Sequence, residues 1–516
     1  MARRERNQRG RLLVDRGAGV RYRDPVVLLL VLLSAGCAAR QQIVRKERPS
    51  EAIAETAAKE SLDSIDDHTD APDSPAVLPV AHSTDTSPKR ERVNPPIHEV
   101  SLPRSRVGRR SEIDQQLAQL EALALLANPA VRRLKQEVQA AWAKAGHVDK
   151  LPDPTIGANV FGHPIETASG SQRANLTVAQ MIPWLERLDA RTQQACYEAM
   201  SLQETLRVEQ LKVVADVRTA WYRLYVLARQ IETNEANQQL LTSSIEVANA
   251  RVATGGASHG DVLLATLELS RLQEQLILYR QQVEAAKADL NRAMGRDASH
   301  PVAIPETLDV SLPAWSHESL RQLASQHQPA IAAARLHTQA TRWGVEVARL
   351  ERRPNVALSA TWFAIDDNRP ATSVVNVGED AWSFGAQVSV PLWHRKYDAI
   401  ENEATWKHFA SHASVEDVTR RFDAMLRDLW ERARAADETR RLYRETILPQ
   451  ARQTLAADQQ SYSNGAVEFD RVVRDLRNVL TLEDGLHRAT GQLATALARI
   501  EQAVGKPIIS TELPAR

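Results

Sequence analysis

Apolar positions along this chain follow two periods, and each period occurs twice. From Ser111 to about His147 the Ala and Leu residues recur every three to four positions behind an acidic first turn. This predicts a helix capped by Ser111 and running on through Asn128-Pro129. Leu151-Pro152-Asp153-Pro154 ends it, because each proline lacks a donor and disfavours helix in the residue before it. The period then drops to two. Ile156, Ala158 and Val160 alternate with Gly157 and Asn159, and Leu176, Val178 and Ile182 with Asn175, Thr177 and Ala179, although Gln180 interrupts the apolar row. Further on, Val356, Leu358, Ala360 and Trp362 share one face of a strand. Trp382, Phe384, Ala386, Val388 and Val390 share one face of the next, opposite Ser383, Gly385, Gln387 and Ser389. Polar tips are expected around Gly170 and around Asp366-Asp367-Asn368.

After each strand pair the helical period returns over great length. From about Glu186 to Thr254 there is neither Pro nor Gly, a helix on the order of 100 Å at 1.5 Å per residue. The segment after it carries a 3,4-spaced seam: Val262, Ala265, Leu269, Leu272, Leu276, Tyr279, Val283, Ala286 and Leu290. The last helix repeats the seam with Val472, Leu476, Val479, Leu486, Leu493, Leu497, Ile500 and Val504, broken by Glu483 and Thr490. Such seams specify paired coiled-coil helices, here turning at Gly255-Gly256 and at Gly465.

The two halves are copies. Pro129, Trp142 and Pro154 recur as Pro329, Trp343 and Pro354, an offset of about 200. Past a second hairpin some eight residues longer, Pro183-Trp184 answers Pro391-Leu392-Trp393 and Trp221 answers Trp430. Gly256 with Asp261 answers Gly465 with Asp470, at offsets of about 208 to 209. The duplicated unit is domain-sized: 111–300 for the first copy, 301–508 for the second, 509–516 a tail.

Strands with one apolar and one small polar face suit a transmembrane barrel, with Trp184 and Trp393 at its interface; a soluble hairpin packed on a core is the alternative. Four strands cannot close, and an open edge in lipid leaves amides unpaired. Three chains supply twelve strands by cyclic closure. The fold class expected is therefore mainly α with a β-barrel section, a trimeric α-barrel continuing a shared 12-stranded barrel.

Composition agrees with long helices: 20 Gly and 6 Phe in 516 residues, with 65 basic against 65 acidic residues, which advertises no nucleic-acid surface. Residues 1–36 read as a signal peptide, basic from Arg3 to Arg23 and apolar from Val26 to Leu33, too short to span a bilayer. Leu33-Ser34-Ala35-Gly36-Cys37 resembles a bacterial lipoprotein cleavage box, with Ser34 where a Leu is usual; the box implies lipidation of Cys37. An ordinary secretory signal cut nearby is the alternative. Residues 37–110, rich in Ser, Asp, Glu, Pro and Thr, read as a disordered linker. No HExxH, phosphate loop or GxSxG occurs, the 14 His are scattered, and Cys196 stands alone in a helix, so neither an enzyme nor a bound cofactor or metal is expected.

Over 111–508 the chain resembles the TolC-type outer-membrane efflux proteins. The resemblance rests on the duplication and on local phrases: Leu151-Pro152-Asp153-Pro154, Gln180 to Trp184, Ile447-Leu448-Pro449-Gln450-Ala451, and Tyr462-Ser463-Asn464-Gly465 with Asp470. It implies a lipid-anchored homotrimer in the outer membrane, extending into the periplasm. There it would meet a periplasmic adaptor bound to an inner-membrane transporter and passively conduct what that pump exports. A type I protein-secretion duct, or a non-conducting coiled-coil scaffold, are the competing readings. It also implies a gate at the helix-hairpin tips, with Asp470 as the candidate and Asp475 and Asp261 behind it, and adaptor docking at Gly255, Gly256 and Gly465. Against gating, Asp early in a helix is explained by capping alone. Gly256 and Gly465 are expected to carry positive φ. Arg251, Arg471 and Arg474 sit beside these turns, and Ala253 stands where the second copy is expected to have Tyr462.

Overall fold

The computed structural model describes residues 112–367 and 378–508, so Cys37, the signal and linker assignments, Ser111, Asn368 and the tail lie outside the described residues. The first copy runs α1 (Glu112–Ala127), α2 (Pro129–Ala145), β1 (Thr155–Thr167), β2 (Gly170–Ile182), α3 (Leu185–Ala253) and α4 (His259–Ala293). The second runs α5 (His317–His327), α6 (Pro329–Leu350), β3 (Asn355–Asp366), β4 (Ala381–Ser389) and α7 (His394–Leu442), then a π turn (Tyr443–Ile447), α8 (Leu448–Ser463) and α9 (Phe469–Val504). No helix among the described residues is long and apolar enough to cross a membrane.

The opening helix of each copy is broken, where the sequence predicted continuity. Asn128 leaves the helical region (ψ 125°) and caps α2, its side-chain oxygen accepting from the amides of Ala130 and Val131. Gln328 does the same for α6 through Ala330. Proline at the first helical position explains the break, since it prefers a helix start to a helix interior. The amide nitrogens of these two caps have a second use. Asn128 donates to the carbonyl of Ala293 at 2.8 Å, and Gln328 to that of Ala503 at 2.7 Å, satisfying the C-terminal carbonyls of the last helix in its own copy. Gly295 and Gly505 make the approach possible: both have positive φ, and a Cβ there would stand 2.7 Å from the Ala127 oxygen and 2.4 Å from the His327 oxygen. Each copy is thus clasped end to beginning.

Three apolar cores form, one in each copy and one shared between them, where Leu241 and Leu272 pack with Leu455, Val472 and Leu476. Val131, Leu134 and Val138 pack with Trp221, Leu224, Leu227, Val283 and Leu290 in the first; Leu320, Leu426, Trp430, Leu493, Leu497 and Ile500 form the second. The predicted seams are the inward faces of these cores: Val283 and Leu290 lie in the first, Leu493 and Ile500 in the second, and Ala265, Leu272, Val472 and Val479 in the shared one, with Val262, Leu269 and Leu486 partly buried against it. Equivalent core residues expose a register change. Trp221, Leu224 and Leu227 match Trp430, Ala433 and Ala436 at offset 209, whereas Val283, Ala286 and Leu290 match Leu493, Ala496 and Ile500 at 210. The π turn lies between these points on the second copy, and its wider hydrogen-bonded ring accommodates the one added residue.

Buried charge ties the copies together. Arg218 on α3 donates to Glu121 on α1 at 2.6 Å and to Glu501 on α9. Burial lowers its pKa, but the hydrogen bond to Glu121 and both carboxylate charges outweigh this and leave it above the usual arginine value. Tyr279 of α4 donates 2.6 Å to Asp484 of α9 inside the helical body.

Candidate functional site

The four strands form one antiparallel sheet in the order β1-β2-β3-β4. Its register turns the alternating pattern of four separate segments into two continuous surfaces. Ile156, Val178, Ala360 and Phe384 are cross-strand partners in one row, and Ala158, Leu176, Trp362 and Trp382 in the next. On the other face Thr177, Thr361 and Ser383 align, as do Ala179, Ser359 and Gly385; Thr177 and Thr361 hydroxyls meet at 3.0 Å. The interruption at Gln180 pairs with Leu358, inside the apolar face, where its amide donates to the Pro152 carbonyl at 2.8 Å. The apolar face is uncovered: Val160 is 83%, Ile156 71% and Phe384 75% exposed. No soluble core receives it among the described residues, and β1 and β4 each keep one unpaired edge there.

At the far end of the long helices the two turns superimpose by a shift of 210 residues. The glycine in the left-handed region is Gly255 (φ 74°) in the first tip and Gly465 (φ 79°) in the second. The expectation for Gly256 is therefore corrected: it is not among the positive-φ glycines, because the extra residue at the π turn moves the register by one. By the same shift Val252, not Ala253, corresponds to Tyr462, and Asp261 corresponds to Arg471 rather than Asp470.

The three candidate aspartates have different surroundings. Asp261 occupies the third position of α4 and closes a capping box with Ser258: its backbone amide donates to Ser258 Oγ at 3.3 Å, and its carboxylate accepts from the Ser258 amide at 3.4 Å. Asp470 is half exposed and pairs with Arg474 one turn on, at 3.1 Å. Asp475 faces Asp458 across the α8/α9 pair. Burial and the hydrogen bond with Asp458 push the Asp475 carboxyl up, while that hydrogen bond and Arg471, 2.7 Å from Asp458, hold Asp458 down.

Arg251 joins the two tips. From the last turn of α3 it donates to the Gly256 carbonyl at 2.8 Å and, across to the other copy, to the Tyr462 carbonyl. Tyr462 is itself buried against Phe469, ring centroids 5.1 Å apart. In the sequence Arg251 is one of three arginines beside the turns, and nothing in the first copy's pattern reveals a partner 211 residues away.

A family model described as outer membrane efflux protein matches residues 110–296 and again 320–506, one match on each copy. The chain belongs to the outer membrane efflux protein family. The solvent efflux pump outer membrane protein SrpC of Pseudomonas putida is 22% identical over 255 residues, 48% of this chain and 52% of SrpC. The alkaline protease secretion protein AprF of Pseudomonas aeruginosa is 24% identical over 349 residues, 63% of this chain and 70% of AprF. The chain thus spans about half the length of the solvent-pump relative it matches. Among solved structures, the outer membrane protein VceC of Vibrio cholerae superposes with a TM-score of 0.65 at 18% identity, covering 76% of this chain and 96% of VceC. The fold is that of the family, mainly helical with a small antiparallel sheet, as the resemblance of the sequence implied.

Proposed function

We propose that this efflux-family protein is the outer-membrane channel of a tripartite export system, passively conducting substrates delivered by an inner-membrane pump through a periplasmic adaptor. The observation that carries the reading is the four-stranded sheet, with one continuous exposed apolar face, one small polar face and two open edges. In lipid such edges must be closed. Three copies joined β4 to β1 give twelve strands, apolar outside and polar inside. The chain would be held at the outer membrane also by a lipid on Cys37, at the end of the 37–110 linker, once residues 1–36 are removed. The tips carrying Gly255, Gly256 and Gly465 would meet the adaptor. Asp470 and Asp475 would stand at the gate; Asp261, tied up in its capping box, supports a structural role better.

Nothing in this reading asks the chain to catalyse a reaction, so the energy comes from the pump. The test is the detergent-purified protein in a planar bilayer, with its mass determined by light scattering. A trimer giving stable single-channel steps supports the channel. A non-conducting oligomer under all voltages and pH values overturns it in favour of an envelope scaffold. A second reading, a type I secretion duct, is favoured by the extent of the match to AprF. Deleting the protein and measuring both secreted protein and susceptibility to small toxic compounds separates the two.

A further inference from the structure

His408 and His412 lie one turn apart on α7, their rings in edge contact with centroids 4.8 Å apart. This is the i, i+4 spacing by which one helix face offers two imidazoles to a single cation. A histidine pair on a helix is more often ordinary surface, so the surroundings decide. Thr341 on the neighbouring α6 contacts His408 Nδ1 at 3.1 Å and Ser411 Oγ at 2.9 Å. The hydroxyl proton of Thr341 is given to the Thr338 carbonyl at 2.9 Å, and that of Ser411 to the His408 carbonyl at 2.6 Å. Thr341 Oγ1 thus occupies the Nδ1 side of the His408 ring, and Nε2 is the nitrogen left for a metal. A hydrogen-bond partner on one ring nitrogen fixes the ring and presents the other as a metal ligand. The Arg342 charge also stands near the His408 ring. His412 is exposed and His408 half-buried, which leaves access from solvent.

We propose that His408 and His412 form a two-imidazole binding site for a borderline divalent transition-metal ion, oriented by Thr341. No third His, Cys, Asp or Glu among the described residues completes a protein cage, so water fills the remaining positions and the ion is exchangeable. Nitrogen ligands without a fixed geometry follow the general affinity order, with copper(II) bound tighter than nickel(II) or zinc(II). The Arg342 charge opposes binding and adds to the weakness. The site stands on α7 and does not depend on channel activity, so its failure would leave the conduit reading untouched.

The full chain in detergent is titrated with copper(II), nickel(II) or zinc(II) salts by calorimetry, and copper(II) is followed by electron paramagnetic resonance. One copper per chain with imidazole-nitrogen hyperfine structure is expected. His412→Ala and the double variant with His408→Ala should weaken binding at least about tenfold, and Thr341→Val, which keeps both imidazoles, by about 10- to 100-fold. Circular dichroism melts identify any variant that fails to fold; His412→Ala, at an exposed position, keeps the test decisive in that event. Unchanged stoichiometry and affinity in the His412 variant overturn the site. Unchanged affinity in Thr341→Val overturns the orienting role assigned to that residue.

Discussion

Arg251 lies with its guanidinium 4.5 Å from the centre of the Tyr462 ring while donating to the Tyr462 carbonyl, so one side chain of the first copy both stacks on and hydrogen-bonds the turn of the second. A planar cation on an aromatic face gains about 0.5–2 kcal/mol, and the charged hydrogen bond adds to it. Arg251→Ala should free the tips and raise the open probability of the purified channel in planar bilayers. Tyr462→Phe keeps both ring and carbonyl and should behave as the wild type. Equal open probabilities for Arg251→Ala and wild type would remove the contact from the gate.

Leu176 and Thr177 are adjacent residues on opposite faces of β2. An arginine at a lipid-facing midplane position costs about 2–4 kcal/mol, whereas the lumen tolerates charge. Leu176→Arg should deplete the protein from outer-membrane fractions, and Thr177→Arg should insert normally but shift the reversal potential toward anions. Normal insertion of both would reverse the assignment of the faces or remove the barrel.

The acidic gate expected at Asp470 is tempered by Arg474 at 3.1 Å. With the two charges adjacent, the field of Asp470 is largely offset. Asp470→Ala, which leaves Arg474 unpaired, is therefore expected to shift selectivity toward anions about as far as Arg474→Ala, which leaves the carboxylate unpaired, shifts it toward cations. Reversal potentials in a salt gradient decide; a larger shift for Asp470→Ala restores the simple acidic ring.

Burial raises the pKa of Asp484 above the usual carboxylate value, against the hydrogen bond from Tyr279. The folded state then binds more protons than the unfolded state between the ordinary value, about 3.9, and the raised one, so this group lowers stability as pH rises through that window. Asp484→Asn cannot titrate, so its melting temperature relative to wild type should improve from about pH 4 to neutrality. A pH-independent difference would refute the linkage. Tyr279→Phe leaves a buried carboxylate oxygen without its donor and should cost about 1–3 kcal/mol at neutral pH.

The end-to-beginning clasps carry stability in both copies. Asn128→Ala removes a helix cap and the bond to Ala293 together, a loss of about 1–2 kcal/mol. Gly505→Ala forces both a positive φ and a Cβ against the His327 oxygen, and should destabilise the second copy more. Thermal melts in detergent read both; an unchanged Gly505→Ala would mean the clasp is not maintained.

The strands, long helices, seams and duplication were legible from the sequence because each is carried by local periodicity: a 2.0 period places Leu176 opposite Thr177, and a 3.6 period places Val283 and Leu290 on one face. The breaks at Asn128 and Gln328 were less so, since their side chains cap a following helix and hold the end of another 165 to 175 residues away. The tip register was misjudged by one, because a single residue absorbed in a π turn leaves no compositional trace. Arg251 on Tyr462, Asp475 against Asp458 and Tyr279 on Asp484 belong wholly to the tertiary structure. Sequence by itself determined which faces are apolar and how long each element is. Packing alone decided which charges meet, because that depends on how two copies of one unit register against each other.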